Sequence, residues 1–124
     1  MAVTYTPAVK NARLDAVTTA ISATGVLEIG TTGMASILAT INLNNPAAAG
    51  ASGGVLTLSG FPKSDSSADN SGIAAAARIR TASGGTDIVT GLTVGTSGSD
   101  INLDSVNITA GQTVTINSAS ITHA

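Results

Sequence analysis

Aromatic side chains are almost missing from this chain: among 124 residues only Tyr5 and Phe61 are of that kind, and there is no Trp. Its core must therefore be filled by Val, Ile, Leu and Ala, which bury less area per residue than a ring does. Charge is equally thin. Asp, Glu, Lys and Arg make up 10% of the sequence and the net charge is −2, against about a quarter charged in an ordinary soluble domain. The clustered Lys and Arg that phosphate backbones require are not there, so the chain is not expected to bind nucleic acid. Cysteine is absent, which excludes disulfides and thiolate metal sites and leaves the redox compartment open. There is no apolar run of about 18 residues to cross a membrane, and the start M-A-V-T-Y-T-P has neither the basic nor the apolar region of a secretory signal. The expectation is a soluble product that touches no membrane.

What is present is Gly, Ser, Thr and Asn set between small apolar residues. From Ile88 to Ile121 the apolar positions fall two apart, as Ile101/Leu103, Val106/Ile108 and Val114/Ile116, with Gly-containing breaks between runs. This is the pattern of short antiparallel strands with one dry face. Earlier in the chain Val26–Ile29, Met34–Leu43 and Val55–Ser59 read as strands, with a short helix through Met34–Leu38 as an alternative start to the second. Ile73–Ala82 also reads as a strand, placing Ile73, Ala75, Ala77 and Ile79 on one face and Arg78 and Arg80 on the other. Ser83–Ile88, Ser97–Ile101 and Ala110-Gly111 read as turns, and Ser118–Ala124 as a last strand.

One stretch has helical spacing. Thr6 is placed to accept from the first free N–H groups and Pro7 to occupy the first helical position. Leu14, Val17 and Ile21 then follow at intervals of three and four. Residues 1–124 are thus expected to form one all-β domain, a helix over 6–22 followed over 25–122 by an antiparallel β-sandwich of about eight short strands, of which the jelly roll is one form. With 14 Gly and no rings, such a monomer gains from burial against neighbouring subunits.

No reaction centre is legible. The one His, His123, lies next to the last residue, no thiol exists, and Asp100 and Asp104 sit in a turn-rich stretch without an aromatic platform for a sugar. Asp65 and Asp69 lack the alternating ligands and closing Glu of a calcium loop. The Gly clusters lack the Lys-Ser/Thr of a phosphate loop. The expectation is a non-enzyme with no cofactor and no metal. Partner contacts are expected instead from the segment Ala2–Tyr5, from Lys10 and Arg13 on the helix, from a loop arm over Asn44–Gly54 with Asn45 and Pro46, and from Arg78 and Arg80. The last two have an alternative use as partners of Asp87 or Asp104 within the fold.

Three stretches resemble a known group: T-Y-T-P-A-V-K-N-A-R-L-D-A-V, G-V-L-E-I-G-T-T-G-M-A-S-I-L-A-T, and G-L-T-V-G-T-S-G-S-D-I-N-L-D-S-V-N-I-T-A-G-Q-T-V-T-I-N-S-A-S-I-T-H. They are similar to small β-rich virion structural proteins of tailed bacteriophages and prophages, mostly uncharacterised, over essentially the whole chain. The resemblance implies a virion component made in the host bacterial cytoplasm. The expected role is a capsid decoration or cement protein on the capsid exterior, in contact with the major capsid protein and with other copies of itself. A tail, collar or fibre protein is the alternative.

Overall fold

A computed structural model of the chain describes residues 4–123; Ala2 and Val3 of the expected N-terminal contact segment lie outside the described residues. The helix α1 spans Pro7–Ile21. Thr6 is its N-cap, in extended backbone, and its hydroxyl accepts from Val9 N–H at 3.4 Å. Leu14 and Ile21 are buried and Val17 packs beside them. Fully burying one Leu or Ile is worth roughly 1.5–3 kcal/mol, so these few side chains are what holds α1 down.

The strands are β1 (Val26–Gly30), β2 (Ile37–Asn42), β3 (Val55–Thr57), β4 (Lys63–Asp65), β5 (Gly72–Ile73), β6 (Ala76–Arg80), β7 (Asp87–Leu92), β8 (Val94–Gly95), β9 (Ile101–Leu103), β10 (Asn107–Ile108) and β11 (Val114–Thr122). One sheet of four strands has the order β2-β1-β6-β7; a sheet of five has the order β3-β11-β9-β8 with β4 also on β11; β10 and β5 form a separate pair. Leu27, Ile29, Ala39, Ile41, Ala77 and Ile79 from the first sheet and Leu56, Ile101, Leu103, Ile116 and Ile121 from the second share one apolar core. This is the expected all-β sandwich with an N-terminal helix.

Two hairpins lie within the first sheet, where β1 and β2, and again β6 and β7, are neighbours. Short Gly-containing connections allow only hairpins there. The β8–β9 pair is parallel, unlike the other pairings among the described strands.

Two further departures have local causes. Ile73–Ala82 is not one strand. Ala74 N–H donates to Val106 O and Ala75 N–H to Gly30 O, so the chain changes partners between them and Ile73, expected on the dry face, is 61% exposed. The last strand is longer than its alternation suggests. Its buried positions run Val114, Ile116, then Ala119, Ile121, and the odd step is absorbed by a register shift between Ile116 and Ser118. A bulge of this kind restores the facing of every later side chain.

α1 contacts β3 and β7, Thr24 Oγ1 donates to Thr81 O and Leu43 N–H to Gly25 O. The helix thus closes the end of the sandwich where β1, β3 and β7 begin and β6 stops.

Candidate interaction surface

At 3.6 residues per turn, the side of α1 opposite Leu14, Val17 and Ile21 carries Val9, Ala12, Ala16 and Ala20. All four are exposed, Val9 at 44%. A helix lying on a soluble protein usually turns charged residues outward; here that side is mostly short and apolar, with the exposed Thr19 among the alanines. Beside it stands Tyr5, 41% exposed. The guanidinium of Arg13 lies 4.5 Å from the Tyr5 ring centroid, within range for a cation–π contact. The His123 ring meets the same tyrosine edge-on at 5.8 Å, and His123 N–H donates to Gly54 O at 2.9 Å. Lys10 forms no ion pair among the described residues, and its stem passes near Gly54. The structure therefore brings Tyr5, Lys10 and Arg13 into one neighbourhood and adds His123, which had been set aside as a chain-end residue. Nothing in the local sequence pairs position 5 with position 123.

The loop expected to be an arm is docked. Ala47 and Ala48 are buried, Ser59 N–H donates to Ala47 O and Ala48 bridges Leu58. Two helix side chains hold its far half: Asp15 Oδ1 accepts from Ala51 N–H at 2.8 Å and Asn11 Oδ1 from Gly54 N–H at 2.9 Å. Its many Ala residues are small enough to lie flat against the body. Asn45 and Pro46, joined by a cis peptide bond, form its exposed corner.

Arg78 and Arg80 are engaged inside the fold. Glu28, in the middle of β1, is 4% exposed, the buried charged residue among those described. Its cross-strand neighbour is Arg78, whose Nε donates to Glu28 Oε1 at 2.7 Å. Arg80 Nη1 lies 3.8 Å from the same oxygen, Arg80 Nη2 donates to Gly85 O at 2.6 Å, and Arg80 Nε is 3.0 Å from Asp87 Oδ1 as an ion pair without good hydrogen-bond alignment. Of the two partners foreseen within the fold, Asp87 is used and Asp104 is not. Glu28 itself was missed. Its flanking residues V-L-E-I read as an ordinary strand, and the signal, an acid directly across one strand pairing from an Arg pair, depends on a pairing across 50 residues.

The other carboxylates organise turns. Asp65 accepts from Thr40 N–H and Ser67 N–H; Asp100 accepts from Thr93 N–H while its own N–H donates to Thr93 Oγ1. Among the described residues no group of three or more His, Asp or Glu is placed to hold a metal ion, and no helix is long and apolar enough to cross a membrane. The described residues include two open hollows of note. One, about 350 Å³, lies between β2 and β4 and is lined by Thr40, Asn42, Lys63, Ser64, Asp65 and Ser66. The other, about 440 Å³, lies over Met34, Ala76, Arg78, Asp87, Thr90 and Gly91. Set against known protein families, curated proteins and solved structures, the chain matches none.

Proposed function

We propose that this chain is a structural component of a tailed-phage virion, a capsid decoration or cement protein that binds the major capsid protein through the outward side of α1. The observation that carries the reading is the placement of Tyr5 and Val9, two of the three large apolar side chains exposed among the described residues, at the start of a helix whose outer side continues as Ala12, Ala16 and Ala20. Contiguous exposed apolar surface on a weakly charged protein favours a protein partner, and the methyl-sized residues permit close approach. Arg13 borders the patch and favours an acidic rim on the partner. Each copy contributes a modest interface; repetition over the shell supplies the mechanical effect. No covalent chemistry is part of this role.

The test is the copy number of the chain in purified virions of the encoding phage, by quantitative mass spectrometry against the major capsid protein. A fixed simple ratio to the capsid subunit is expected. A handful of copies per particle assigns the chain to tail, collar or fibre instead, and its absence from the particle overturns the virion reading.

A further inference from the structure

We infer that α1 is a hinged lid, which swings off the end of the sandwich as one unit about Ser22-Ala23 while the sandwich stays folded. The bonds on either side locate the pivot. Ser22 N–H donates to Thr18 O at 3.4 Å, so the chain belongs to the helix up to that residue. From Thr24 it belongs to the sandwich: Thr24 Oγ1 donates to Thr81 O at 2.8 Å, and Gly25 O accepts from Leu43 N–H at 3.0 Å. Only the backbone between Ser22 and Thr24 is left to turn.

The docked helix carries two unfavourable features beside that pivot. Ser22 has φ 54° and ψ −150°, at the border of a region open essentially to glycine alone, where a residue with a Cβ is strained. One turn earlier Thr18 Oγ1 is buried and has no hydrogen-bond partner among the described residues, and an unpaired buried hydroxyl disfavours the state that buries it. Opening relieves both, since the hinge then takes an ordinary conformation and the hydroxyl meets water. What opposes opening is small and local. The apolar contact of α1 with the core is made by Leu14, Ile21 and the partly buried Val17, and its polar ties to the loop are Asn11 to Gly54 and Asp15 to Ala51. The loop stays behind, held by its buried Ala47 and Ala48, so the Ala51 and Gly54 amides lose their acceptors as the lid rises. Raised, α1 presents the stripe Leu14, Val17 and Ile21 as a second apolar side beside its alanines. This inference concerns the fold and does not depend on the capsid reading.

The test is amide hydrogen exchange of the full chain, followed by NMR at rising denaturant below the unfolding midpoint. Expected is one exchange set, the amides of Leu14, Val17, Thr18 and Ile21 together with those of Ala51 and Gly54. It should exchange about tenfold or more faster than the amides of β1 and β6, with a much smaller dependence on denaturant. Ser22→Gly removes the strain, and Thr18→Val removes the unpaired hydroxyl at nearly constant volume. Each is expected to slow that set about fivefold. Exchange of α1 only together with β1 and β6 overturns the lid, as does residue-by-residue exchange from the helix ends in which Ala51 and Gly54 take no part. Unchanged or faster exchange in both variants overturns the assignment of the pivot.

Discussion

Glu28 is the residue on which the first sheet depends most sharply. A carboxylate this deep persists because two guanidinium groups reach it from the neighbouring strand, and removing it leaves Arg78 and Arg80 partly buried without their shared partner. Breaking a buried pair costs about 3–5 kcal/mol, and the partial exposure of both arginines reduces this. Glu28→Gln is therefore expected to lower stability by about 2–4 kcal/mol, read from the denaturant midpoint at unchanged slope. In double-mutant cycles the coupling of Glu28 with Arg78, at 2.7 Å, should exceed that with Arg80, at 3.8 Å. Gly25 is constrained differently, by room. A Cβ there collides with Ile21 Cγ2 and lies 2.9 Å from the Ile21 carbonyl oxygen, so the strand start and the helix end touch through a position with no side chain. Gly25→Ala is expected to cost about 1–3 kcal/mol as overpacking. A near-zero effect on thermal unfolding contradicts that account.

Among the elements, those legible in the sequence are those whose signal is local. Thr6-Pro7 and the spacing of Leu14, Val17 and Ile21 carry the start and the buried side of α1; alternation carries β2, β3 and β9. What could not be read is which strand lies beside which. The Glu28–Arg78 pair and the β3–β11 pairing each join distant stretches, and no short-range pattern encodes them. The break at Ala74-Ala75 was hidden for a related reason: five consecutive small or β-branched residues fit one strand as well as two, and only the competing partners decide. The candidate surface was legible as residues and not as a place. Lys10 and Arg13 were visible, while the exposure of Ala12, Ala16 and Ala20 follows from where the sandwich end presses on the helix. The loop over 44–54 has a measurable dependence on that helix. In Asn11→Ala combined with Asp15→Ala, the amides of Ala51 and Gly54 lose their acceptors. Their exchange should accelerate strongly, while global stability falls by only about 1 kcal/mol per lost bond.

For the whole molecule, the charge distribution separates structure from contact. Glu28, Arg78, Arg80 and Asp87 neutralise one another within the first sheet, while the two cations of the helix, Lys10 and Arg13, have no acidic partner among the described residues. Under the proposed role, Ala16→Glu places a charge on the outer side of α1 and touches nothing in the core. It is expected to leave the unfolding midpoint within about 0.5 kcal/mol of the parent and to reduce incorporation into particles severely. Loss of incorporation accompanied by unfolding makes the variant uninformative about the surface, so the midpoint is measured first; full incorporation with the fold intact removes the helix face from the proposed contact.

β11 governs when the fold can come into being. It is the one strand that touches β3, β4 and β9, so three earlier segments wait for a partner that is synthesised after all of them. While translation proceeds, the β2-β1-β6-β7 sheet can assemble, but its apolar side has no second layer until Val114–Thr122 leaves the ribosome. Completion of the sandwich therefore waits for β11, with a high contact order and rates expected in the millisecond-to-second range of sandwich proteins. Nascent chains arrested before Val114 should be degraded by proteases that spare chains arrested far enough downstream for β11 to have emerged.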